Sequence, residues 1–185
     1  MIRDPESVQR RDFLAAASIG IAATAGCASI TGTDNGSDGE SGSGDGSEEV
    51  ERIELEDDAP EAAGAQTLRV PVAESIAGQT LSAVAATYPR ERFVVDSASH
   101  DAITVGVDQD GDETLDEEFG SDAISGANNN AYSFTVTMDT AYELREGDVV
   151  ILDYPTISNP QEAGEYDATV VLNDQQETTV SVAIE

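Results

Sequence analysis

From about Thr67 onward the chain reads as short runs in which apolar and polar residues alternate, broken by turn-forming residues. In Tyr132-Ser133-Phe134-Thr135-Val136-Thr137-Met138 and Val180-Ser181-Val182-Ala183-Ile184 the period is two. That period puts one side of each run in a core and the other in water. Candidate strands cover residues 68–72, 81–88, 92–97, 103–107, 132–138, 149–154, 166–172 and 178–184, with turn markers at Glu146-Gly147-Asp148, Asn159-Pro160, Ala163-Gly164 and Asn173-Asp174. Residues 75–86 are Ala-rich and also fit a helix by composition, which Gly78 and the β-branched residues oppose. The pattern predicts an all-β fold, an immunoglobulin-like antiparallel β-sandwich of seven to nine strands over residues 67–185. The Trp and the Cys pair of antibody domains are missing.

Ahead of the sandwich the texture changes twice. Residues 31–49 are almost wholly Gly, Ser, Asp, Thr and Glu with no hydrophobic residue. Nothing there offsets the entropy of ordering, so residues 27–66 are expected to form a disordered, charge-extended linker. Asn35-Gly36-Ser37 is the chain's only N-glycosylation sequon, which makes Asn35 a candidate acceptor. Residues 1–26 carry the Arg10-Arg11 pair, then Phe13-Leu14, an apolar run to Ala25, and Gly26, directly before Cys27. A basic pair, about a dozen apolar residues and small residues before a cleavage point are the parts of an export signal. The run is too short to span a bilayer, which takes about 20 apolar residues.

Charge narrows the partners. The 185 residues hold 38 Asp+Glu against 8 Lys+Arg, all of them Arg, for a formal charge of −30. A nucleic acid would be repelled. In dilute buffer such a surface opposes compaction, whereas near 1 M salt the Debye length is about 3 Å and the repulsion is screened. One Cys and one His exclude an internal disulfide, a thiolate zinc cluster, a multi-histidine metal site and blue copper, which needs two His and a Cys.

The remaining candidate chemistry is acidic. Residues 108–118 place seven acids in eleven positions. Asp108, Asp110, Asp112 and Asp116 alternate as hard oxygen ligands for Ca2+, Thr114 offers a backbone carbonyl, and Leu115 an anchor on the core. Glu113 stands where a calcium loop has its sharp-turn Gly, and Phe119 where it has a bidentate Glu. A solvated acidic surface is the alternative reading of the same residues. His100 beside Asp101 reads as a turn residue rather than a general base, because neighbours in a strand point to opposite faces. With 38 acids, no particular carboxylate pair points to glycoside hydrolysis. Tyr132, Tyr142 and Tyr154 are either stacking platforms or packing residues.

Three resemblances give these pieces a setting. The excess of acids and absence of Lys resemble proteins of extremely halophilic archaea. Arg10-Arg11 with Phe13-Leu14 resembles a twin-arginine signal, and Thr24-Ala25-Gly26-Cys27 a lipobox. Together they imply a lipoprotein exported folded, cut before Cys27 and held on the outer face of the cytoplasmic membrane by a lipid on that sulfur. The stretch from Arg145 through Asp153-Tyr154, Asn159-Pro160 and Ala163-Gly164-Glu165-Tyr166 to Leu172-Asn173-Asp174-Gln175 resembles a domain of haloarchaeal cell-surface proteins. The expectation is a non-enzymatic, lipid-anchored surface protein for adhesion, envelope organisation or ligand binding, with envelope proteins or glycans as partners. The alternative is an accessory or ligand-binding subunit of an envelope enzyme or transporter.

Overall fold

The computed structural model describes residues 51–185. These form eleven strands: β1 (Arg52–Leu55), β2 (Ala63–Pro71), β3 (Ala83–Thr87), β4 (Val94–Val95), β5 (Thr104–Asp108), β6 (Glu117–Phe119), β7 (Ile124–Asn130), β8 (Ser133–Met138), β9 (Val149–Ser158), β10 (Gly164–Leu172) and β11 (Gln176–Ile184). One sheet runs β1-β2-β9-β5-β6 with β4 also paired to β9, and the second runs β11-β10-β3-β8-β7. Every pairing is antiparallel. The chain is an all-β, immunoglobulin-like antiparallel sandwich, as its alternation predicts.

The inward residues of both sheets make one core. Phe134 of β8 stacks on Tyr154 of β9 with ring centroids 4.2 Å apart, joining the sheets at their centre. The Tyr154 hydroxyl leaves the core by donating to the Asp96 carbonyl at 2.7 Å. Tyr88, Phe93 and Tyr166 continue the aromatic packing, with centroids 5.0 and 5.5 Å apart. Gln66 is the unusual core member. It is 1% exposed, its Oε1 accepts from the Tyr88 hydroxyl at 2.6 Å, and its Nε2 has no partner among the described residues. Burial pushes the Tyr88 hydroxyl well above its ordinary pKa, so it stays a donor.

Two sequence expectations change. Eleven strands replace seven to nine, because the pattern does not reveal three short or irregular ones: β1, β6 with two glutamates, and β7, whose Ser125-Gly126-Ala127-Asn128-Asn129-Asn130 lacks apolar alternation. Strand pairing starts at Arg52, inside the stretch read as linker. Asn159 supplies the reason, since its Nδ2 donates to the carbonyls of Asp57 and Ala59 at 2.8 and 3.0 Å and fixes the β1–β2 connection on the Asn-Pro turn. Residues 75–86 are not helical: a 3-10 turn at Glu74–Ile76 leads through Gly78, at φ +82, to β3. The Asn173-Asp174 turn closes β10–β11 with both residues at positive φ. The Asn173 side chain accepts from Ser82 and Ala83 and donates to Thr80, tying that hairpin to β3.

Candidate functional site

The acidic loop is the β5–β6 connection. Asp108 ends β5 and is 1% exposed, while Asp110, Asp112 and Asp116 are exposed. The Asp108 carboxylate is wrapped by the loop backbone: Oδ1 accepts from Asp110 N at 3.2 Å and Gly111 N at 2.8 Å, and Oδ2 from Glu113 N at 2.8 Å. A carboxylate has about four lone-pair sites, so one stays open on Oδ2. Asp116 Oδ2 accepts from Gln109 N at 2.7 Å, and Asp116 N returns to the Val107 carbonyl at 2.9 Å.

Asp108, Asp110 and Asp116 each bring a carboxylate oxygen within 4.8 Å of the others. Asp112 is outside this trio, accepting from both the amide and the hydroxyl of Thr114. Those bonds hold its carboxyl below its ordinary pKa. Asp110 goes the other way, raised first by the charge of Asp112 and then by partial desolvation and the charges of Asp116 and Asp108. The trio's donor chemistry suits a hard cation, and a six- to eight-oxygen shell would be completed by water or backbone carbonyls.

The two departures from a calcium loop have structural counterparts. Glu113 has φ +70, the left-handed conformation that a Gly at this place would adopt, and Gly111 has φ +75. Glu113 is held there by its bond to Asp108 and by Arg52, whose Nη2 donates to Glu113 Oε1 at 2.6 Å. Phe119 is a packing residue, edge-on to Tyr142 with centroids 5.8 Å apart. Leu115 does anchor the loop, but against the outer face of the first sheet. A Cβ on Gly106 would meet its Cδ2 at 2.8 Å and the Glu117 carbonyl at 2.6 Å, so this close approach requires Gly106.

Beside the loop, Arg145 Nη1 donates to Gln109 Oε1 at 2.8 Å and its guanidinium lies 5.8 Å from the Tyr142 ring centroid. The Tyr142 hydroxyl and Arg145 N both bond Asp148 Oδ2, at 2.8 and 2.9 Å. Burial, followed by that carboxylate, pushes Tyr142 up to about 12. Of the three tyrosines, Tyr154 is core, Tyr142 is bound to Asp148, and Tyr132 lies under the Arg90 guanidinium at 4.4 Å. His100 opens an exposed 3-10 turn at His100–Ala102. Arg10, Arg11, Phe13, Leu14, Cys27 and Asn35 lie outside the described residues. Sequence reasoning missed Arg52, because a lone Arg in an acidic stretch carries no local sign of a partner at Glu113.

No family model matches the chain, and no curated protein does. Solved structures similar to it are distant. BslA, described as a bacterial hydrophobin, is 13% identical, over 74% of this chain and 95% of that one, with a TM-score of 0.41. An uncharacterized Nocardia farcinica protein with an immunoglobulin-like fold is 18% identical, over 70% and 81%, at 0.34. The collagen-binding domain of a Staphylococcus aureus adhesin is 11% identical, over 71% and 97%, at 0.38.

Proposed function

We propose that this protein is an exported lipoprotein that uses Cys27 as its membrane anchor and presents the sandwich outside the cell for adhesion, envelope organisation or ligand binding, without catalysis of its own. The observation that carries the reading is the order of parts. Arg10-Arg11, an apolar run and Thr24-Ala25-Gly26-Cys27 precede an uncharged-to-acidic spacer, and a complete two-sheet domain begins at Arg52. Residues 28–51 reach at most about 80 Å when extended, enough to carry the domain clear of a headgroup layer.

Within this reading the β5–β6 loop takes a hard cation such as Ca2+ on Asp108, Asp110 and Asp116. The cation would neutralise carboxylates that otherwise repel one another, fixing the hairpin on the first sheet.

Fractionation of cells tests the anchor. Cys27→Ser is expected to release the protein from the membrane or block its processing, and Arg10→Lys/Arg11→Lys to retain it in the cytoplasm. Unchanged membrane fractionation of both variants refutes the proposal.

A further inference from the structure

Two depressions meet beside the acidic loop, between the end of β8 and the start of β9. The larger, about 500 Å³, is lined by Gln109, Glu117, Phe119, Thr140, Tyr142 and Arg145. The second, about 450 Å³, lies over Gly78, Glu143 and Leu144 and shares Ala141, Tyr142 and Arg145 with the first, so the two form one groove. Each is within the roughly 300–1,000 Å³ of small-ligand sites.

Its walls are set by the fold. Asp148, 2% exposed, accepts from the Tyr142 hydroxyl and the Arg145 amide. The segment between β8 and β9 is tied to the β2–β3 connection: Gly78 N donates to the Leu144 carbonyl at 2.7 Å, Leu144 N to the Gln79 carbonyl at 2.9 Å, and Leu81 N to the Tyr142 carbonyl at 2.9 Å. Thr140 Oγ1 donates to the Leu81 carbonyl at 2.9 Å. A site held in this way orders little on binding. Phe119, from β6, meets Tyr142 edge-on, and the two rings form an apolar wall. Two charged groups of the larger depression are unspent. The Arg145 guanidinium places one N–H on Gln109 Oε1, and its other N–H groups have no partner among the described residues. The Glu117 carboxylate has no hydrogen-bond or ion-pair partner there, and although it lines the same cavity it does not pair with Arg145.

We infer that this groove binds a neutral oligosaccharide. An anionic chain would lie against the seven acids of residues 108–118, Glu117 among them, and be repelled. A cation is opposed by Arg145 inside the groove and favoured by Asp108, Asp110 and Asp116 outside it. A sugar carries no charge, and neighbouring hydroxyls both donate and accept. One such pair accepts from Arg145 while donating to Glu117, satisfying a donor and an acceptor that do not satisfy each other. The sugar's C–H groups then pack on Phe119 and Tyr142, the arrangement of an apolar wall with a few orienting polar groups. A zwitterion such as a free amino acid matches the two charges but fills one depression only, whereas a chain of sugar rings also uses the continuation over Gly78 and Leu144. The inference names a ligand class for the ligand-binding reading above and rests on that reading, but on no part of the anchor.

Isothermal titration calorimetry of the full chain carrying Cys27→Ser, in 2 M KCl with millimolar calcium, tests the groove with neutral tetrasaccharides of glucose, mannose, galactose and N-acetylglucosamine. At least one is expected to bind saturably with Kd below about 1 mM, while tetragalacturonate and free alanine give no binding heat. Arg145→Gln and Glu117→Gln each remove a charged partner of a hydroxyl and should weaken that binding at least about tenfold. Both side chains are exposed, and the Asp148 bonds from Tyr142 and the Arg145 amide remain, so melts of both variants should stay close to wild type. Arg90→Gln, whose guanidinium lies over Tyr132 ahead of β8 and outside the groove, should bind as wild type does. Binding of none of the four sugars overturns the inference. So does tighter binding of the uronate or the amino acid, or sugar binding that Arg145→Gln and Glu117→Gln both leave intact. Failure of the anchor proposal shows in fractionation and leaves this result untouched.

Discussion

Asp108→Asn separates the two roles that one buried carboxylate holds in the β5–β6 loop. Its oxygens receive three backbone N–H groups, and an asparagine can accept the two at Oδ1 only by turning its NH2 toward the Glu113 amide. Losing a charge-assisted bond and setting donor against donor in a buried place costs about 2–3 kcal/mol. A domain of about 135 residues unfolds with an entropy near 0.28 kcal/mol/K, so Tm should fall by roughly 7–11 °C. The assay is a far-UV circular dichroism melt in 2 M KCl with chelator, repeated in millimolar calcium. A cation at a hundredfold excess over Kd adds about 2.7 kcal/mol to the wild type, an upward shift of roughly 10 °C. Asp110→Asn leaves the amide wrap in place and removes a ligand. Without calcium its Tm should hold or rise slightly, since the charge of Asp112 already disfavours ionised Asp110, and its calcium shift should vanish. If Asp108→Asn melts within about 2 °C of wild type in chelator, the reasoning about the wrapped carboxylate is wrong. If the wild type shows no calcium shift, the loop is solvated surface.

Tyr88→Phe strands Gln66 in the core and should cost about 1–3 kcal/mol by denaturant titration. Adding Gln66→Met should recover most of it, because removing both partners is cheaper than removing one. Limited proteolysis in high salt should yield a stable fragment starting near residue 51. A start near 67 would show that β1 and the Asn159-held connection do not protect their segment. The pKa of Asp112 is lowered in the fold, so its bond to Thr114 stabilises above the ordinary carboxylate pKa and is lost as pH falls through the lowered value. The Tm gap between wild type and Thr114→Val should therefore shrink on acidification below about pH 4, and a constant gap would refute this.

What the sequence could announce depended on whether a residue's structural role shows in its neighbours. Val180, Val182 and Ile184 alternate with polar residues because one face of β11 is buried, so β11 and its sheet were legible locally. β7 is an edge strand whose outward row needs no apolar side chain, and it left no period to read. β1 is held by distant groups: Gln66 to Arg69 opposite it in register, Asn159 about a hundred residues on, and Glu113 against Arg52. Such pairings have no local pattern, and composition alone makes the segment look like tether. The acidic loop was visible as a cluster, but its division was not. Asp112 is taken by Thr114 two residues later, while Asp116 joins Asp108 and Asp110 because the hairpin returns along β5.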